Sequence, residues 1–331
     1  MLIESTFKPA WWLNNRHLQT IYPALFRKPP LPPEYRRQRI TTPDNDFLDI
    51  DFCGSGSKPL VLILHGLTGS SKSTYVMGLQ SALYGQGIRS AALNFRGCSG
   101  DPNNSALSYH SGETRDIHFV YQTLRAREPA ACMAAVGFSL GGNVLLKWLG
   151  EHGDTLDLKA AVAVSVPLVL SLCATRLDQG ISRLYRENLL VELKEYIRTK
   201  REHLQQTGLT AHAERINALG DISTINSFWQ YDDQVVAKLY GFNNAHDYYQ
   251  RSSSRQYLKS IAVPTLIIQA VDDPFMTPGV LPEVEETSAA VSLEFPAHGG
   301  HVGFIAGDRP WQPIYWLEQR IPQFLADKFR T

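Results

Sequence analysis

Residues 134–143 have the sequence Ala-Ala-Val-Gly-Phe-Ser-Leu-Gly-Gly-Asn, an apolar run that ends in the pattern G-x-S-x-G. This run predicts a buried strand, and the glycines on either side of Ser139 allow a sharp turn into a helix. The first amides of that helix, which should run from Leu140 to about Gly150, would point back toward the serine hydroxyl and stabilise negative charge there. The pattern therefore predicts a nucleophilic serine, although these few residues also occur by chance.

The composition narrows the class of protein. The chain has 331 residues, of which 44% are hydrophobic and 19% charged, and its formal net charge is zero. These values indicate a globular protein without the basic surface that nucleic-acid binding requires. No apolar run reaches the roughly 20 residues of a membrane span, and no signal-peptide pattern is visible. We expect a cytoplasmic protein with no transmembrane segment and no nucleic-acid partner.

Strand and helix patterns alternate on both sides of the serine stretch. Continuous apolar runs of strand length suit parallel strands that are covered on both faces. Their alternation with helical segments predicts βαβ units and a mostly parallel, doubly wound sheet. The predicted strands span 59–64, 88–95, 132–138, 159–165, 264–270 and 291–295, with a β-hairpin over 39–52, and the further predicted helices span 73–85, 112–127, 279–286 and 313–329.

The alternation stops over residues 167–260, which are polar, charged and aromatic, with helical spacing of leucines in 181–204. This segment is predicted to be a helical cap inserted between two strands of a single domain that spans 1–331. Residues 1–35 are rich in aromatic residues and proline, and we expect them to pack on the core.

Several predicted strand ends carry side chains suited to catalysis. Ligands of an open α/β sheet lie beyond the carboxyl ends of its strands, and these ends bring serine, aspartate and histidine in the chain order of an α/β-hydrolase triad. Histidine can take and return the serine proton, and a carboxylate orients the histidine. The backbone amides of Leu67 and Leu140 are predicted to bind the oxyanion. The polar residues at these ends are His65, Ser139, Asp272, Asp273, His298 and His301.

Longer motifs around these ends carry a family resemblance, which covers nearly the whole chain. They are Arg-His-Leu-Gln-Thr at 16–20, Asn-Phe-Arg-Gly-Cys-Ser-Gly at 94–100, His-Ser-Gly-Glu-Thr at 110–114, Gly-Phe-Ser-Leu-Gly-Gly-Asn at 137–143, Asp-Asp-Pro-Phe at 272–275 and His-Gly-Gly-His-Val-Gly-Phe at 298–304. Together they resemble the YheT-like branch of the α/β-hydrolases. The resemblance implies a carboxylester hydrolase with Ser139 as nucleophile, an aspartate of the Asp-Asp-Pro turn and the histidine of the Gly-Gly-His-Val segment. Eukaryotic members act on medium-chain acyl esters and phospholipids, and some transfer acyl groups to alcohols.

Two choices between neighbours follow from the resemblance. His301 is preferred over His298 because it matches the family's usual placement, and because its glycine neighbours leave the loop room to swing the ring toward Ser139. Asp273 is preferred over Asp272 because it directly precedes Pro274, as in the superfamily's usual acid turn. Asp272 then serves as a turn or cap residue, and His298 as support for the loop.

The expected protein has an α/β-hydrolase fold, a helical cap and a Ser139–Asp273–His301 triad. Its substrate is expected to be a small-molecule ester with a short to medium acyl chain, a lipid among the candidates, and no cofactor or metal is needed. An acyltransferase with the same triad and a non-catalytic binding protein stay open as alternatives. Other notable residues are expected to play structural roles: His65 in the oxyanion loop, Arg96 and Glu113 as an ion pair or loop support, and Phe228-Trp229 and Tyr248-Tyr249 in packing.

Overall fold

A nine-stranded sheet organises the protein. The computed structural model describes residues 1–29 and 31–330, so Pro30 and Thr331, which fall within predicted segments, lie outside the described residues. The strands are β1 Leu2–Ile3, β2 Arg36–Thr41, β3 Phe47–Cys53, β4 Leu60–Leu64, β5 Arg89–Asn94, β6 Met133–Phe138, β7 Ala160–Val164, β8 Thr265–Ile268 and β9 Val291–Glu294. Their order in the sheet is β1-β9-β8-β7-β6-β4-β5-β3-β2. The pairs β2–β3 and β3–β5 are antiparallel, and the other pairs are parallel. The mostly parallel sheet expected from the sequence is therefore confirmed.

Helices cover both faces of the sheet, and a small hairpin of β10 (Ile305–Ala306) and β11 (Ile314–Tyr315) lies apart from it. The helices are α1 Arg16–Phe26, α2 Thr74–Gly85, α3 Arg115–Arg127, α4 Leu140–His152, α5 Leu170–Leu177, α6 Ser182–Gln206, α7 Thr210–Asn217, α8 Phe228–Tyr231, α9 Lys238–Tyr240, α10 Ala245–Ser252 and α11 Leu317–Arg330, with a π-helical turn at Asp232–Ala237 between α8 and α9.

The central strands are buried on both faces, which explains their unbroken apolar sequences. Along β4, Leu62 and Leu64 join the cluster under α3 and α4, and Val61 and Ile63 join the cluster under α2 and α11. Side chains of a strand alternate between its two faces, so a strand covered on both must be apolar throughout. Each buried aliphatic side chain contributes about 1.5–3 kcal/mol, and this burial holds the strand ends in fixed relative positions.

The segment between β7 and β8 contains α5 to α10 and forms a hydrophobic cluster of its own. Its longest helix, α6, buries Leu190, Leu193 and Ile197 on one face.

One local prediction differs from the structure, and one helix outside the predicted cap was not predicted. The helix expected over 279–286 is two single 3₁₀ turns, Pro278–Val280 and Val284–Glu286. Pro282 interrupts this stretch and has no N–H to continue a helical ladder. The N-terminal segment, which was expected to pack on the core, contains α1, a helix for which the sequence analysis made no prediction. The Asn15 side chain caps this helix by accepting hydrogen bonds from two backbone amides.

Candidate active site

Ser139 lies at the turn between β6 and α4 with a φ of 50°, a backbone conformation that residues other than glycine rarely adopt. The turn requires glycine at two neighbouring positions. A Cβ on Gly137 would lie 2.5 Å from the Gly141 carbonyl oxygen, and a Cβ on Gly141 would lie 2.4 Å from the His65 carbonyl oxygen. The Ser139 amide donates to the Val164 carbonyl on β7 at 2.8 Å. The tight turn therefore fixes the serine at the carboxyl ends of the central strands.

A line of hydrogen bonds joins three of the residues expected at the site. His301 Nε2 lies 3.0 Å from Ser139 Oγ, and His301 Nδ1 lies 2.8 Å from Asp273 Oδ2. The Asp273 carboxyl also accepts from Gln269 Nε2 at 3.1 Å and from the Phe275 amide at 2.9 Å. The Asp273 side chain is 1% exposed and that of His301 10%. The acid is thus held rigidly against one histidine nitrogen while the other faces the serine.

The loop that carries His301 packs tightly against α1. The His301 amide donates to Thr20 Oγ1 at 2.9 Å. A Cβ on Gly300 would lie 2.5 Å from the Arg16 carbonyl oxygen, and a Cβ on Gly303 would lie 2.2 Å from the Gln19 carbonyl oxygen. These glycines therefore allow α1 to approach the loop closely. The sequence analysis instead expected them to give the loop freedom to move.

Gln19 and Thr20 are the residues that sequence reasoning missed. Gln19 is 1% exposed. Its Nε2 donates to the Leu13 and Ile305 carbonyls, and its Oε1 accepts from the Ile305 amide at 2.6 Å. These bonds join α1 to the chain just after the His301 loop. The Arg-His-Leu-Gln-Thr motif was the available signal, but its role depends on contacts with residues nearly 300 positions away.

The backbone amides of Leu67 and Leu140, which were predicted to bind the oxyanion, have no hydrogen-bond partner among the described residues. Leu140 is the first residue of α4, where amides have no partner within the helix. The amides on either side of Leu67 are both occupied, that of Gly66 by Tyr75 Oη at 2.8 Å and that of Thr68 by Tyr109 Oη at 3.0 Å. The arrangement leaves two donors beside the serine available to a ligand oxygen.

His65 is buried behind the loop that contains Leu67. Its Nδ1 lies 2.7 Å from the Gly66 carbonyl oxygen, and its Nε2 accepts from the Phe95 amide at 3.1 Å. Burial lowers the pKa of His65 to about 4. A neutral ring with the proton on Nδ1 satisfies both contacts, so His65 braces this loop and has no free nitrogen for proton transfer.

Asp272 and His298, the alternative acid and base considered from the sequence, contact each other. Asp272 Oδ2 lies 3.2 Å from His298 Nδ1, and its Oδ1 accepts from the Gly300 amide at 3.0 Å. The His298 side chain is 53% exposed. Asp272 and His298 thus form a separate pair at the outer side of the loop, and neither is hydrogen-bonded to Ser139.

The expected ion pair between Arg96 and Glu113 is wrong. The Arg96 guanidinium contacts Asp116 with two hydrogen bonds of 2.8 Å and also contacts Asp44 and Asp46. Glu113 instead pairs with Arg115. Arg96 and Glu113 each support the loops at the strand ends, but each does so through an ion pair with another residue.

A cavity of about 490 Å³ opens beside Ser139 and extends beneath α5 to α10. This volume lies within the usual range for small-molecule sites. Its walls are mostly apolar, and Ser139, His301, Leu67 and Leu140 line it together with Thr20 of α1. Other lining side chains come from the predicted cap and include Leu170, Leu177, Leu193, Ile197, Phe228, Val235, Val236, Leu239, Tyr248 and Tyr249. The aromatic residues expected only to pack therefore also face this cavity, except Trp229.

Residues 1–29 and 31–330 contain no group of three or more His, Cys, Asp or Glu side chains placed to hold a metal ion. Within the same ranges, no helix combines the length and the hydropathy needed to cross a membrane.

The fold and the strand-end residues define an α/β-hydrolase. The family described as alpha/beta hydrolase fold matches residues 59–308, and the chain belongs to this family. Within it, the chain belongs to the branch of the Escherichia coli protein named Putative esterase YheT, to which it is 39% identical over 98% of this chain and 94% of that one. The mouse protein named Phospholipase ABHD3 is 28% identical over 98% of this chain and 79% of its own length.

Solved structures share the fold at low sequence identity. The Pyrococcus furiosus esterase Pf2001 superposes with a TM-score of 0.54 at 18% identity, covering 92% of this chain and 98% of that one. The Exiguobacterium antarcticum esterase EaEST also has a TM-score of 0.54 at 18% identity, covering 89% of this chain and all of its own.

Proposed function

We propose that this protein is a serine esterase that cleaves short- to medium-chain acyl esters through an acyl-enzyme on Ser139. Ester hydrolysis is supported by the relatives, which include proteins named as an esterase and a phospholipase. The observation that carries the proposal is the unbroken hydrogen-bonded line from Ser139 through His301 to Asp273, at the wall of an apolar cavity. A small ester can place its carbonyl at the serine and its chain in this cavity.

The acylation step uses all of the proposed residues. Ser139 Oγ attacks the ester carbonyl carbon as His301 Nε2 accepts the hydroxyl proton. The carbonyl oxygen becomes an oxyanion, and the amides of Leu67 and Leu140 donate to it. Asp273 keeps the His301 proton on Nδ1 and stabilises the imidazolium. His301 then donates its Nε2 proton to the departing alkoxide, which leaves as the alcohol.

Deacylation repeats the sequence with water. His301 accepts a proton from water while the water oxygen attacks the acyl carbon, and the same two amides bind the second oxyanion. Collapse of that intermediate breaks the bond to Ser139 Oγ, which recovers its proton from His301. The products are a carboxylic acid and an alcohol, and the side chains return to their starting state without any cofactor.

The test is the hydrolysis of p-nitrophenyl butyrate and p-nitrophenyl octanoate by the wild type, Ser139→Ala and Ser81→Ala. Ser81 lies on α2, where its hydroxyl donates to the Met77 carbonyl, and serves as the control for loss of a serine hydroxyl. We expect Ser139→Ala to lower kcat by roughly 10⁴-fold or more and Ser81→Ala to leave it unchanged. A Ser139→Ala variant with wild-type turnover would overturn the proposal.

A further inference from the structure

Asp232 places a carboxyl group in the wall of the otherwise mostly apolar cavity, beneath the predicted cap. It is the first residue of the π-helical turn Asp232–Ala237. π-Helical turns are rare in proteins, and many of those that occur lie at functional sites. The proposed reaction uses no group in this part of the cavity, so the carboxyl requires another explanation.

The surroundings of Asp232 do not compensate its charge. Tyr249 Oη donates to Oδ2 at 2.6 Å. In the part of the chain that the structure describes, no Lys, Arg or His forms an ion pair with Asp232, and Oδ1 accepts no hydrogen bond. By contrast, the buried Asp116 is paired with Arg96. A partly buried carboxylate without a cationic partner is destabilised, and its partial burial accordingly raises the pKa of Asp232 to about 7.

Several aromatic side chains share the cavity wall with this carboxyl. Phe228, Tyr231, Tyr248 and Tyr249 line the same cavity, and the rings of Tyr248 and Tyr249 lie 5.3 Å apart between centroids. Aromatic faces attract cations, and sets of aromatic rings are used to bind alkylammonium groups. A carboxyl with one free oxygen adds a full charge to that attraction. Neither feature is of use to a plain hydrocarbon chain, which needs only apolar walls.

We propose that Asp232, together with Phe228, Tyr231, Tyr248 and Tyr249, forms a subsite for an alkylammonium group carried by the ester substrate. The assignment rests on the proposed esterase function, because it takes the cavity to be where the ester binds. The ammonium group supplies the positive charge that Asp232 lacks, and its alkyl substituents contact the rings. Apolar walls elsewhere in the cavity receive the remainder of the ester.

The test compares two esters of nearly equal shape, butyrylcholine and 3,3-dimethylbutyl butyrate, which differ in a quaternary nitrogen and a quaternary carbon. Their dissociation constants are measured at pH 8 by calorimetry on Ser139→Ala, which removes turnover. We expect butyrylcholine to bind roughly tenfold more tightly. This preference should fall to the smaller value that the rings alone supply in Ser139→Ala/Asp232→Asn. Equal affinity for the two esters, no binding of either ester, or a preference of unchanged size in Asp232→Asn would overturn the subsite.

Asp233→Asn provides the matched control for removal of one negative charge. Asp233 is exposed and adjacent, and its Oδ1 accepts from the Ala245 amide at 3.0 Å, a bond that asparagine can keep. We expect this variant to retain the preference. If Asp232→Asn does not fold, the two esters on Ser139→Ala still decide the matter.

Calorimetry also separates the two proposals. An ammonium preference in a protein without Ser139-dependent turnover would contradict the esterase proposal alone.

Discussion

The His301 ring lies parallel to the Phe275 ring, with 4.1 Å between centroids and an interplanar angle of 2°. Phe275 also donates its backbone amide to Asp273 Oδ1. One residue therefore contacts both the proposed base and the proposed acid. The stacked ring limits rotation of the imidazole and keeps Nε2 directed at Ser139.

We predict that Phe275→Leu lowers kcat for p-nitrophenyl butyrate roughly three- to tenfold, which corresponds to the loss of one aromatic stacking interaction. KM should change little, because leucine keeps most of the apolar surface. Phe324→Leu, which removes a ring from α11, is the control and should leave kcat unchanged. An unaltered kcat in Phe275→Leu would show that the stack does not position His301.

The two adjacent aspartates should respond very differently to replacement by asparagine. Asp273→Asn removes the carboxylate that holds the Nδ1 proton of His301, and we expect kcat to fall on the order of 10³- to 10⁴-fold. Asp272 contacts His298 and the Gly300 amide and has no hydrogen bond to His301. Asp272→Asn should therefore lower kcat by less than about threefold, because it leaves the carboxylate beside His301 in place. Steady-state kinetics of both variants provide the measurement. A larger loss of kcat in Asp272→Asn than in Asp273→Asn would contradict the choice of Asp273 as the acid.

Thr20 is predicted to position the His301 loop from α1. Thr20→Val keeps the shape of the side chain but leaves the His301 amide without its acceptor, and we expect a loss of about 1–2 kcal/mol in the free energy of unfolding. A fall in kcat should accompany it, because the loop is less well held. Thr20→Ser, which keeps the hydroxyl, should keep both the free energy of unfolding and kcat near their wild-type values. Equal behaviour of the valine and serine variants in urea unfolding and in kinetics would refute this role.

Binding of an ammonium ester should depend on pH near neutrality. Below about pH 7 Asp232 is mostly protonated, and above it the carboxylate forms, so affinity for butyrylcholine should rise between pH 6 and pH 8. The described titratable groups that interact electrostatically with Asp232 are the phenols of Tyr231, Tyr248 and Tyr249. The thiol of Cys173 lines the same cavity and interacts with Tyr249. Burial raises the pKa of all four, so they remain neutral in this range.

Titrations by calorimetry on Ser139→Ala at several pH values measure this rise. The neutral ester 3,3-dimethylbutyl butyrate should show no such dependence, and Asp232→Asn should remove it for butyrylcholine. A pH-independent affinity for butyrylcholine would argue against ionisation of Asp232 in the site.

The sheet and the strand-end residues were predictable because their signals are local. The run 134–138 is apolar without interruption since both of its faces are covered, and the G-x-S-x-G pattern records the close approach of Gly137 and Gly141 to the neighbouring backbone. The two aspartates were harder to separate, because adjacent residues at one strand end share the same local pattern. Only the three-dimensional contacts place Asp273 beside His301 and Asp272 beside His298.

Other features depend on contacts that the sequence does not record. The helix α1 lies near prolines that obscured it, and its importance comes from Gln19 and Thr20 meeting a loop almost 300 residues away. Asp232 belongs to a polar, charged segment, where an aspartate is usually solvated. Its position in the cavity wall results from the packing of several helices.

Covalent labelling of the serine tests the central claim most directly. The wild type, Ser139→Ala and His301→Ala are treated with a fluorophosphonate, and the labelled peptides are identified by mass spectrometry. The account predicts a single adduct on the peptide that contains Ser139 in the wild type, no adduct in Ser139→Ala, and much slower labelling in His301→Ala. An adduct on a different serine, or none on a folded protein that hydrolyses p-nitrophenyl butyrate, would contradict it.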